Sequence, residues 1–157
     1  RPNPSLKLTR YGRHCKPGLG TLCIFSADYL VCGKSSDGLA WWVVEFKGAD
    51  EPLFNVGADG RVSFGAAANK GILQLLEYID FCDEHQSTLR DQLKLPDFRE
   101  PRGMLIIGRE TEVEENHRLQ KVKAAWNRLV GGRLEIRTHD ALIRHAGQKA
   151  QFHRNVG

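Results

Sequence analysis

Trp41-Trp42-Val43-Val44-Glu45-Phe46-Lys47 is an apolar run that ends in a carboxylate and an amine two residues apart. A stretch this rich in β-branched and aromatic residues predicts a strand buried in a sheet. Successive strand residues point to opposite faces, so Glu45 and Lys47 project together from the end of that buried element. Such a pair is either a solvated strand edge or one wall of a built site, and the flanking segments bear on which.

Two strand-like runs, Leu22 to Gly33 and Leu39 to Lys47, flank Lys34-Ser35-Ser36-Asp37-Gly38, a loop of turn formers, and are expected to pair as a hairpin. Folding about that loop sets Asp28 opposite Val44 to Phe46 and brings two carboxylates side by side. Like charges at that distance repel, and the usual stabilising partner is a hard divalent cation with oxygen ligands, Mg²⁺ or Mn²⁺. Such an ion can polarise a phosphoryl oxygen and deprotonate a bound water. The Lys47 ammonium would orient that water or offset charge growing on a phosphate. The competing expectation for Asp28 is a plain turn or edge residue.

Downstream, Ile72, Leu75, Leu76, Ile79 and Cys82 recur at helical spacing and predict a helix from Gly71 to His85 with one buried stripe. Gln74 and Tyr78 lie one above the other on the flank of that stripe. They are either a boundary amide and a snorkelling phenol, or groups that hydrogen-bond a bound water or phosphate and position the backbone.

Asp28, then Glu45-x-Lys47, then Gln74-x-x-x-Tyr78, in that order and spacing, resembles the PD-(D/E)XK nuclease superfamily in its RecB-like variant with a QxxxY motif. Longer segments are similar to the C-terminal nuclease domain of Shedu anti-phage defence proteins. They are Val43 to Lys47, Glu51-Pro52-Leu53-Phe54, Gln74 to Tyr78, Gly103 to Arg109 and Thr138-His139-Asp140-Ala141-Leu142, and the resemblance covers about residues 22 to 147. It implies a restriction-endonuclease-like α/β fold, a mixed central sheet flanked by helices, and Mg²⁺- or Mn²⁺-dependent cleavage of DNA in bacterial anti-phage defence. On the same basis Asp28, Glu45 and Phe46 would hold the metal, Lys47 would be the catalytic lysine, and Gln74 and Tyr78 would support the site. Members of the superfamily also carry a helix and a strand before the metal-binding Asp, where this chain has only a short segment. An N-terminally truncated domain is therefore expected, with an apolar sheet face covered in a homo-oligomer or by a missing segment.

Arg1 to Gly20 contains Pro2, Pro4, Pro17, Gly12, Gly18 and Gly20, has no sustained apolar periodicity and does not begin with Met. It reads as a disordered or non-native tail and resembles translated repeat DNA from mobile gene cassettes. The domain is then expected over residues 21–147, with 148–157 a C-terminal tail. The tail also distorts the charge: of the net +4, residues 1–20 supply five basic side chains and no acid. From Asn116 onward nine Lys or Arg oppose only Glu135 and Asp140, whereas residues 21–115 carry a net −8. A basic third beside an acidic half suits a phosphodiesterase, one face attracting backbone and the other holding a cation. Any single basic residue there is equally at home on a solvated helix face.

The four cysteines, Cys15, Cys23, Cys32 and Cys82, form no C-x-x-C pair, which argues against zinc and for a reducing, cytoplasmic setting. His139 and His145 are six apart and do not share a helix face as zinc ligands would. No apolar run reaches membrane-spanning length, so no membrane partner is expected. A phosphate-binding Gly-rich loop is also missing; Gly57 and Gly60 belong to a turn, Ala58-Asp59-Gly60, in a small hairpin over residues 55–64.

In the second half, Met104 to Ile107 reads as a strand covered on both faces. Thr111-Glu112-Val113-Glu114 has the capping-box pattern of a helix running to Leu129 or Val130 and stopped by Gly131-Gly132. Leu134 to Arg137 is the next strand, and Thr138 caps a last helix, His139 to His145, ending at Gly147. Ser87 to Pro101 reads as a surface connection. The expected function is metal-dependent hydrolysis of DNA. A non-catalytic, truncated module that binds nucleic acid or a protein partner and a nuclease acting on RNA are the rival expectations.

Overall fold

The computed structural model describes residues 8–9, 27–130 and 132–155. Its five-stranded sheet has the order β1-β2-β3-β6-β7. The strands are β1 (Leu8–Thr9), β2 (Tyr29–Ser35), β3 (Gly38–Phe46), β6 (Arg102–Ile106) and β7 (Leu134–Arg137). β1 to β3 pair antiparallel, while β3, β6 and β7 run parallel, so the sheet is mixed. β4 (Phe54–Val56) and β5 (Val62–Phe64) form the small separate hairpin expected from the Asp59-Gly60 turn, with Gly60 at φ +75°. The helices are α1 (Ala66–Glu84), α2 (Gln86–Leu93), α3 (Thr111–Glu114), α4 (His117–Leu129) and α5 (His139–Asn155).

The β2–β3 hairpin closes through a two-residue turn, Ser36-Asp37, because Ser35 pairs with Gly38. Gly38 takes φ +112°, a conformation that side chains with a Cβ rarely adopt. The run that predicted a strand is its centre: Trp41, Val43, Val44 and Glu45 are all buried. Residues 22–26, read as the first half of the opening strand, lie outside the described residues. Leu8–Thr9 pairs with Leu30 and Val31 as a short edge strand, a correction to the expectation of an unstructured tail at those two residues.

Helix α1 packs on β3 and β6. It begins at Ala66 rather than Gly71, and its buried face is Ala68, Gly71, Leu75, Tyr78, Ile79 and Cys82. Leu76, expected in the stripe, is half exposed. Gly71 is interior because a Cβ there would lie 2.6 Å from Leu105 Cδ1 and 3.2 Å from Lys47 Cε. Close approach to the sheet offsets the roughly 1 kcal/mol that a helical glycine costs.

Three further expectations are corrected. Ser87 to Pro101 takes in all of α2 but its first residue and inserts Leu89, Phe98 and Pro101 into the core. Trp41 Nε1 donates to Pro96 O at 3.1 Å, and the Trp41 and Phe98 rings meet edge to face. That helix has only Leu89 and Leu93 as apolar positions, too few for periodicity to reveal it. The helix after β6 is broken in two: the expected Thr111–Glu114 capping box does not form, since no side chain caps the start of α3, and Glu112 accepts the Leu53 and Phe54 amides at 2.9 Å. Asn116 starts α4 by accepting the amides of Arg118 and Leu119. Finally, α5 continues through Gly147 to Asn155; Thr138 does begin it, its hydroxyl accepting the Ala141 amide at 3.2 Å.

Candidate metal and phosphodiester site

The hairpin register pairs Tyr29 with Val44 and so brings Asp28 to the end of β3. There Asp28 Oδ2 accepts the Phe46 amide at 2.8 Å. On the α1 face, Lys47 Nζ donates to Glu45 Oε1 at 2.8 Å and to Gln74 Oε1 at 2.7 Å. Gln74 also hydrogen-bonds the Tyr78 hydroxyl, one helical turn along. All five residues picked from the sequence, with Phe46 between them, therefore converge at the junction of β2, β3 and α1.

Electrostatically they behave as one cluster. Burial pushes the Glu45 carboxyl up; the Lys47 hydrogen bond opposes this, and the Asp28 charge adds to it. Burial likewise raises Tyr78, followed by the negative charge of Glu45. Glu45 is only 5 % exposed, and its Oε2 is buried with no hydrogen-bond donor from any described residue. Leaving a carboxylate oxygen so placed is costly unless something positive completes it. A hard divalent cation fits that donor set: the Asp28 and Glu45 carboxylates, plus a main-chain carbonyl, which is all that Phe46 can offer a metal. Among the described residues no group of three His, Cys, Asp or Glu side chains assembles, so water would supply the remaining ligands.

His139, weighed in the sequence only as a zinc ligand and as part of the Shedu-like segment Thr138 to Leu142, also reaches this site. Its Nε2 lies 2.9 Å from the Lys47 carbonyl oxygen, and its ring stands beside Phe46. A usable signal existed: His139 lies two residues past the end of β7, and side chains just past the carboxyl ends of parallel strands gather at one edge of the sheet.

The basic C-terminal third is less available than its count implied. Arg133 pairs with Asp83, Arg137 with Glu135 and Arg144 with Glu110, while Arg118 donates to Gly60 O. Asp140 is held well below the usual carboxylate range, at about 2, by hydrogen bonds from Arg109 and from the Glu110 amide. A separate cavity of about 220 Å³, lined in part by Glu110, Lys123, Asn127 and Thr138, shares no residue with the cluster. Among the described residues, no helix is long and apolar enough to cross a membrane.

A mixed sheet with helices on its faces, carrying an acidic pair and a lysine at the end of its central strand, defines a restriction-endonuclease-like α/β domain. Residues 5–143 match the family described as Shedu protein SduA, C-terminal, and the chain belongs to that family. The match extends into the segment that composition marks as a tail. No curated protein matches the chain.

Proposed function

We propose that this domain hydrolyses phosphodiester bonds of DNA with Mg²⁺ or Mn²⁺, and that it does so in the cytoplasm as part of anti-phage defence. The biological role follows from membership of the Shedu family. One observation carries the chemistry: a buried glutamate with an unpartnered oxygen, bridged by Lys47 to Gln74 and flanked by Asp28.

Asp28 and Glu45 would hold the cation, with Phe46 contributing its carbonyl. When bound, the cation supplies Lewis-acid polarisation of the phosphate and acidifies a coordinated water. Lys47 brings a positive charge to the same pocket, where it can orient the attacking water or offset charge building on the phosphoryl oxygens. Gln74 fixes the lysine by accepting a hydrogen bond from its ammonium, and Tyr78 steadies Gln74. The Asp28 bond to the Phe46 amide keeps the two carboxylates in register across the hairpin.

Purified protein incubated with linear and circular DNA, with and without Mg²⁺ or Mn²⁺, tests this directly. Glu45→Gln should weaken Mn²⁺ binding and cleavage together. Lys47→Met removes no ligand, so it should bind Mn²⁺ at least as well as the wild type yet lose about 100-fold or more in rate. Cleavage unaffected by Lys47→Met, or Mn²⁺ binding unaffected by Glu45→Gln, would refute the assignment. The second reading, a non-catalytic module that binds nucleic acid or a protein partner, is favoured by the fact that, among the described residues, no third His, Cys, Asp or Glu joins Asp28 and Glu45. It predicts DNA retention without cleavage under every metal condition.

A further inference from the structure

We infer that His139 is a positioning residue for Lys47, pinning the lysine's main-chain carbonyl so that its ammonium stays on the line between Glu45 and Gln74. This rests on the nuclease reading of the cluster. β3 ends at Phe46, and the Lys47 backbone, one residue past the strand, is anchored on both sides. Its N–H donates to Ile106 O at 2.8 Å, and its carbonyl meets His139 Nε2 at 2.9 Å. A carbonyl only accepts, so Nε2 carries the proton and the ring's orientation is fixed.

The same histidine also acts through its backbone. Gly108 N donates to Gly48 O at 3.1 Å, and the His139 amide donates to Gly108 O at 3.2 Å. These bonds, together with the imidazole, close a ring that ties the end of β3 to the end of β6 and the first turn of α5. Next to that ring the lysine stem lies against Gly71 of α1.

Without the imidazole the Lys47 carbonyl has no described partner, and the peptide between Lys47 and Gly48 can rotate. Nζ sits at the end of a four-carbon stem, so a small turn at the root moves it by an ångström or so. A misplacement of about 1 Å in a reacting constellation costs on the order of 100-fold in rate. A histidine that merely stabilised the fold would behave differently, lowering rate only in proportion to the unfolded fraction.

The test compares wild type, His139→Phe and His139→Gln. Phe keeps a ring beside Phe46 but has no donor, whereas Gln retains an N–H of similar reach. Single-turnover cleavage of linear DNA with Mn²⁺ should slow about 10- to 100-fold in His139→Phe, with half-saturating DNA changed less than about twofold. His139→Gln should recover to within about fivefold of wild type. Exchange of the Lys47 and Gly108 amides should quicken at least about tenfold in His139→Phe, while the α1 amides keep their protection. His139→Phe cleaving at the wild-type rate, His139→Gln no better than Phe, or unchanged Lys47 and Gly108 exchange would each overturn the inference. If wild-type protein cuts nothing, the nuclease reading fails on its own, and the exchange comparison still decides whether His139 positions Lys47.

Discussion

Replacing Lys47 by Met tests whether the amine is what makes a buried Glu45 tolerable. Lys47 is 16 % and Glu45 7 % exposed in their side chains, so the pair is close to fully enclosed. Met fills most of the stem volume and leaves no cavity, which isolates the charge. Breaking a buried ion pair from one side costs about 3–5 kcal/mol. Glu45 has an escape, however: it can take up a proton, which at pH 7 costs about 1.4 kcal/mol for each unit between its unperturbed value near 4.3 and the solution pH, or roughly 4 kcal/mol. That sets the ceiling. The slight exposure of the lysine places the expected loss near 3 kcal/mol, a midpoint lowered by about 6–12 °C for a domain of this size. In Glu45→Gln/Lys47→Met the amide carries no charge, so most of the loss should return, giving a coupling of about 2 kcal/mol in the double-mutant cycle. Added Mn²⁺ should raise the midpoint of Lys47→Met more than that of the wild type, because the competing cation is gone. Scanning calorimetry on the four proteins, with and without Mn²⁺, measures all of this. A Lys47→Met midpoint within about 2 °C of wild type, or a double variant no more stable than the single one, would show that the lysine does not support Glu45.

Gly71→Ala should destabilise by about 1–3 kcal/mol and reduce cleavage, because the new Cβ would press on Leu105 Cδ1 and the Lys47 stem; the urea midpoint and a DNA-cleavage assay report the two effects. Asn127 pairs both ways with the backbone of Ile136, donating to its carbonyl at 3.1 Å and accepting its amide at 3.0 Å. It thereby finishes the β7 edge, so Asn127→Ala should cost about 1–3 kcal/mol in chemical denaturation with no change in Mn²⁺ binding. Asp140 is depressed from an ordinary 3.8 to about 2, so the Arg109–Asp140 contact stabilises the fold fully above pH 4 and is lost as pH falls through 2. The midpoint difference between wild type and Asp140→Asn should therefore be fully present at pH 7, shrink below pH 4 and disappear only below pH 2.

How much was legible in the sequence differs by the kind of signal each residue gives. Periodicity and turn chemistry are local, and they sufficed for β3, the Ser36-Asp37 turn, β7 and the Thr138 cap, because each depends on neighbours within a few residues. The Glu45, Lys47 and Gln74 candidates were legible for the same reason: spacing alone puts the first two on one strand face and the third on a flanking helix. Leu76, α2 and the split between α3 and α4 were decided by distant partners. Which side of α1 is buried depends on where β3 and β6 approach Gly71. The break after Glu114 goes with Glu112 serving the amides of Leu53 and Phe54 across the fold, a use that no local pattern encodes. His139 belongs to the same class. Its imidazole and Lys47 are 92 residues apart in the chain and meet at 2.9 Å only because β3, β6 and β7 run parallel and end at one edge. The sequence by itself determined which side chains could carry metal and phosphate chemistry; tertiary structure decided which main-chain atoms hold them in place, since a hydrogen bond across a sheet depends on register and strand order rather than on residue type.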